Sequence, residues 1–143
     1  MSALSNRLAM RERMLHEQNV RLNRDHALLL NRAPEVWEEF KAAFVAECTE
    51  ISARAVLTRL RSDEPDSRTF LILRERPHTP AVAALSFEFD GAIPCIAWQD
   101  LHNKKPRKTI EMAMDESAVL FVQSGKAIIL SRFIEQCLET VYF

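Results

Sequence analysis

Over residues 1–61 the apolar positions recur every three or four places, and the stretch holds no glycine. That spacing gathers side chains on one face of a helix. Pro34 is the only proline there. Proline suits the first turn of a helix, and Glu35, Glu38 and Glu39 follow where the helix dipole favours negative charge. Two helices are therefore predicted, over residues 5–31 and 34–61.

The second carries Trp37, Phe40, Phe44, Cys48, Ile51 and Ala55 on one stripe, with Glu38, Glu39, Lys41, Glu50 and Arg54 mostly elsewhere. Such an aromatic face is a packing face. The first is thinner. Leu8, Leu15, Leu22 and Leu29 repeat every seven residues, one position of a heptad. The other seam position then falls on Ser5, Glu12, Asn19 and His26, all polar, whereas a zipper wants both positions apolar. Leu4, Met14 and Leu28 thicken the seam. The helix either associates with a partner through these leucines or lies across its own domain.

From Ser62 the period changes. Residues 62–67, Ser-Asp-Glu-Pro-Asp-Ser, read as a solvated linker. Phe70 to Leu73 form a strand candidate, stopped by Pro77 and Pro80. Ala83, Leu85, Phe87 and Phe89 then alternate with Ala84, Ser86 and Glu88, and Asp90-Gly91 signals a hairpin. A two-residue loop would set Phe87 opposite Pro94, Leu85 opposite Ile96 and Ala83 opposite Trp98. Pro94 cannot donate to a ladder, which argues for an edge or a bulge.

After a loop at 100–108, the segment 109–114 alternates in a way that favours a strand over a short helix. Residues 118–122 and 127–130 form a last hairpin about Ser124-Gly125. Its register pairs Phe121 with Ile128 and Val119 with Leu130, and on the other face Leu120 with Ile129 and Val122 with Ala127. Both faces are apolar, so the pair needs cover on two sides. One cover is the helix predicted from Ser131, with Phe133, Ile134, Cys137, Leu138 and Val141. The other is the Trp37 helix or a second subunit. The expected fold is α+β: a helical arm (1–33), then a single domain (34–143) in which an amphipathic helix precedes an antiparallel sheet of five or six strands, closed by a C-terminal helix.

Composition narrows the chemistry. A chain of 143 residues fits one domain and has enough core to fold without disulfides or metal. Its 19 basic and 20 acidic residues leave a net charge of −1, unlike a phosphate-binding polyelectrolyte. With Gly91 and Gly125 the only glycines, the clustered glycines of a phosphate loop or a dinucleotide fingerprint are missing. Cys48, Cys95 and Cys137 are scattered and lack C-x-x-C spacing, so buried free thiols are expected, with no metal site and no cofactor. The first 18 residues show no apolar core of a signal peptide, and no apolar run reaches membrane-spanning length. A cytoplasmic protein without membrane contact is the expectation.

Candidate reactive groups are sparse. Glu12 and His16 are one turn apart and read as a solvated pair; His26 sits on the leucine seam; His78 lies between Pro77 and Pro80. Asp100 and His102, with Cys95 and Trp98 before them, form the best catalytic-looking set, although residues 95 and 98 would point to opposite faces of a strand. A pocket between helix and sheet lined by Phe87, Trp98 and Met112, reaching Asp100 and His102, is the ligand-binding or enzymatic alternative. Lys104, Lys105, Arg107 and Lys108 form a basic loop without an interleaved aromatic; it reads first as a solvated hairpin tip, then as a contact for an anionic partner, and last as one for nucleic acid.

The leading expectation is a non-enzymatic module that forms a homo-oligomer, most simply a dimer, or binds another protein. The contact would be made by Leu8, Leu15, Leu22 and Leu29, by the two-sided strand pair, or by both. The order of elements is similar to that of small dimeric secretion-chaperone-like domains. The similarity is one of order alone and transfers no residue.

Overall fold

A computed structural model describes residues 2–143. Ser2 caps the first helix, its side-chain oxygen accepting from the Ser5 amide at 3.1 Å. Helix α1 then runs unbroken over Ala3–Arg54, 52 residues, with Pro34 inside it. The two helices expected on either side of that proline are one. A mid-helix proline lacks an amide and costs about 3 kcal/mol. Here Leu29, Ala33, Val36 and Trp37, on both sides of it, are buried along one face. Arg32 also ties the turn down, donating to the Ser117 carbonyl at 2.6 Å. Tertiary packing outweighs local preference at this point.

Seven strands follow: β1 (Arg59–Asp66), β2 (Thr69–Glu75), β3 (Val82–Asp90), β4 (Cys95–Asp100), β5 (Lys108–Asp115), β6 (Ala118–Gln123) and β7 (Lys126–Ile128). They form one antiparallel meander in sequence order, closed over by helix α2 (Leu130–Tyr142). The α+β class holds, with one strand more than expected. The extra strand is β1, which takes up the tail expected of the second helix and most of the expected linker. It is an edge strand in which Leu60 alone is buried, so it carries no period-two signal. Pro65 is tolerated at such an edge. Segment 109–114 belongs to a strand.

The first hairpin has a four-residue loop, Gly91 to Pro94, not two residues. Phe87 therefore pairs with Trp98 and Leu85 with Asp100, in place of Pro94 and Ile96, and Ala83 lies beyond the β3–β4 ladder. The slip is an even number of positions, so every side chain keeps its face. The loop is held by Asp90, whose carboxylate accepts from the amides of Ala92 (2.9 Å) and Ile93 (3.2 Å). Pro94 sits in the loop, where no ladder donor is required. Gly91 does not use the left-handed region expected of it. The second hairpin matches its expected turn: Ser124 and Gly125 have φ of 54° and 77°, and Phe121 pairs with Ile128. Val119 and Leu130 do not pair, because Leu130 already begins α2.

Both helices cover the same face of the sheet. Phe40 of α1 lies 5.4 Å from Phe87, 5.7 Å from Phe121 and 6.3 Å from Phe133 of α2, and Phe133 is 5.1 Å from Trp98. Cross-strand pairing puts Phe70, Phe87, Trp98, Met112 and Phe121 on that face. The result is two layers with an aromatic core between them. On the last strand pair only the Phe121 side is covered; Leu120, on the other side, is exposed.

Candidate functional site

The first candidate is the amino-terminal half of α1. Residues 3–24 are exposed without interruption, and this part of the helix leaves the body as a free rod. From Ala3 to Leu28 it is roughly 39 Å long at 1.5 Å per residue. Leu8, Leu15 and Leu22 are 55%, 55% and 58% exposed, whereas Leu29, the fourth of the series, is buried in the core. The seven-residue series continues to Val36, also buried. The leucine stripe is thus the body's own packing face prolonged beyond the sheet. Leu4, Met10, Met14 and Val20 are exposed on the same rod. A helix gains most of its stability from packing an apolar face, and residues 3–24 are exposed along their whole length among the described residues.

The second candidate is a cleft of about 290 Å³ between the β4–β5 end of the sheet and α2, lined among others by Trp98, Asp100, Lys105, Lys108, Gln123 and Cys137. Of the five residues expected to share a pocket, only Trp98 and Asp100 reach it. Phe87 and Met112 are buried in the core, and His102 lines a separate groove with Arg76, Thr79 and Pro80. Trp98 donates its indole N–H to Gln123 Oε1 at 2.9 Å, and the Lys108 ammonium stands 5.4 Å from its ring centroid.

Asp100 is buried and fully occupied. Its two oxygens accept from the amide and the side-chain nitrogen of Asn103, both at 2.8 Å, and that nitrogen also donates to the Thr140 carbonyl at 3.1 Å. The carboxylate shapes the turn after β4 and ties it to the end of α2. Replacing it with alanine would leave Asn103 with lost partners and is expected to cost about 1–3 kcal/mol, read as a lower urea midpoint. Cys95 lies on the sheet face opposite Asp100, by strand alternation, and His102 points elsewhere. The imagined Cys–His–Asp set is not brought together, and among the described residues no three His, Cys, Asp or Glu gather as a metal site.

The thiols are kept protonated. Burial, aided by the charge of Glu47, pushes Cys48 up to about 12. Burial and then Asp100 push Cys137 to about 12 as well. The half-exposed Cys95 is raised by partial burial, Asp90 and Glu111. A raised native value means that the fold favours the protonated form. That contribution is complete below the unfolded thiol range near 8.5–9 and is lost as pH climbs towards 12. Under reducing conditions the urea midpoint should therefore fall between pH 8 and pH 10.5. The double variant Cys48→Ala/Cys137→Ala should fall less steeply over the same interval.

The basic loop is exposed, and two of its four charges are engaged at home. Arg107 pairs with Glu88 at 2.7 Å and Lys108 lies over Trp98, while Lys104 and Lys105 have no ion pair among the described residues. Sequence reasoning missed Lys41, which is almost fully buried on α1. It pairs with Glu38 at 2.9 Å and Glu64 at 3.5 Å and stands 5.2 Å from the Trp37 ring centroid. Its place between Phe40 and Phe44 gave no signal, since its partner Glu64 comes from a segment read as linker.

A third concavity lies between the end of α1 and α2. Its floor is Ile51, Leu138, Tyr142 and Phe143, and its rim is Glu47, Glu135 and Glu139. No lining residue is basic. Arg74 stands at one end, donating to the carbonyls of Tyr142 and Phe143, each at 3.4 Å.

Comparison of the chain with protein-family models, curated proteins and solved structures finds no match. Among the described residues, no helix is long and apolar enough to cross a membrane.

Proposed function

We propose that this protein is a non-enzymatic self-association module whose working surface is the free half of α1. One observation supports the reading above others: the face that packs the body runs on, in phase, through Leu22, Leu15 and Leu8 into solvent. A rod of this length would gain stability by burying that stripe against a second copy. The occupied carboxylate of Asp100 and the small volume of the Trp98 cleft make the ligand-binding alternative the weaker one. Light scattering tests the proposal over a range of chain concentrations. The expected mass is twice the 16.5 kDa of one chain, dissociating on dilution. A mass of one chain throughout would refute it.

A further inference from the structure

The proposal of self-association leaves open what the arm touches, and two surfaces of this chain complement each other. The free rod carries Arg7, Arg11, Arg13, Arg21 and Arg24 against Glu12, Glu17 and Asp25. With 19 basic and 20 acidic residues in the whole chain, the body is left acidic. On one side of the arm Met10 and Met14 are each 65% exposed, among Arg7, Arg11 and Arg21 with the single acid Glu17, so the face is basic on balance. The apolar groove between α1 and α2 is rimmed by Glu47, Glu135 and Glu139. One surface is apolar with basic flanks; the other is apolar with an acidic rim.

The arm cannot reach the groove of its own chain. Both belong to one continuous helix, with Met14 and Glu47 separated by about 50 Å at 1.5 Å per residue. They do lie on the same side of it. Eleven residues make just over three turns, so Met14, Asp25, Val36 and Glu47 drift round the helix by about 20° at each step, as do Met10, Arg21, Arg32 and Ala43, and each series stays on one side although the body covers Val36. Glu47 in the first series borders the α2 groove, and Arg32 in the second reaches the β5–β6 turn. A two-fold axis beside residues 31–32 would run two copies of α1 antiparallel and bring Met10 and Met14 of each to the groove of the other.

The geometry points to reciprocal docking: the Met10–Met14 face of the arm occupies the Glu47/Glu135/Glu139 groove of a second copy, closing a symmetric dimer. An interface that repeats itself about a two-fold axis closes at two chains and does not grow into a fibre. Leu15 borders both this face and the leucine stripe, so the inference rests on the self-association reading and specifies its contact.

Charge exchange on the full chain tests it, read as the dimer dissociation constant by light scattering or sedimentation. Glu135→Lys/Glu139→Lys should weaken the dimer by about tenfold or more, and Arg11→Glu/Arg21→Glu should do the same. All four changes together should recover most of the loss, because each pair is again opposite in sign. Both glutamates are exposed, so folding should survive. Failure of the four-fold variant to recover would overturn groove docking. So would an unchanged dimer in Glu135→Lys/Glu139→Lys; if Leu15→Glu/Leu22→Glu still produced monomers, self-association through the arm would stand without the groove. If neither pair altered the mass, or the unaltered chain were monomeric, both readings would fall.

Discussion

Phe40→Ala is expected to destabilise the domain by about 3–5 kcal/mol, the range for truncating a buried aromatic. Phe40 is fully buried where side chains of α1, the sheet and α2 meet. Its ring stands 5.8 Å from Trp37 and 5.2 Å from Phe44 on its own helix, and within contact of Phe87, Phe121 and Phe133 beyond it. Removing it opens a void lined by five aromatic rings that belong to α1, two separate strands and α2. These elements cannot all move inward together, so the cavity should collapse only in part. Natural domains hold a margin of about 5–15 kcal/mol, so the loss would consume much of it. Urea denaturation followed by tryptophan fluorescence would measure it. A cost below about 1 kcal/mol would mean that this cluster does not hold the layers together.

Leu15→Glu/Leu22→Glu is expected to convert the proposed dimer to monomers while leaving the body's melting temperature almost unchanged. Both leucines are more than half exposed in the single chain, and neither touches the core. Glutamate is as good a helix former as leucine, so the arm itself should persist. In an assembly the same changes would place charges in the buried seam, where an unpaired carboxylate is strongly disfavoured. The readouts are mass by light scattering and thermal unfolding of the body at low concentration. Loss of mass together with loss of body stability would show that the leucines serve their own domain. Leu29 would be the wrong choice for this experiment, since it is core.

Much of the fold was legible because it rests on local periodicity. The Trp37–Phe40–Phe44 stripe, the alternation of β3 and the turn at Ser124-Gly125 each follow from spacing or from one backbone requirement. The misses share a cause. At Pro34 the local rule is real but is outweighed by burial of Leu29, Ala33 and Val36 around it. At β1 the deciding interaction is a ladder with β2, supplied by backbone groups that no side-chain pattern records. The first hairpin slipped because the carboxylate of Asp90 binds two amides in the loop, a turn chemistry that favours four residues over two.

The surroundings of the candidate site follow the same division. The leucine repeat identified the arm, but sequence could not show where the body ends, so Leu29 was grouped with its exposed neighbours. Phe87 and Met112 have the composition of a pocket wall and instead fill the core. Asp100 has the residue type and neighbours of a reactive group, yet both of its oxygens accept from Asn103. The acidic groove brings together residues 47–51 and 135–143, a juxtaposition set by helix packing alone.

Pro34 has a consequence for how the molecule comes apart. With no amide at that position, the Leu30 carbonyl lacks its usual helical donor just where the rod leaves the sheet. The ladder of hydrogen bonds carries a built-in break. Unwinding that starts at the amino terminus need not travel into the body, and melting of the body need not begin there. Hydrogen exchange is therefore expected to show faster exchange for amides before Leu29 than for those after Pro34, with the step between them falling at the proline.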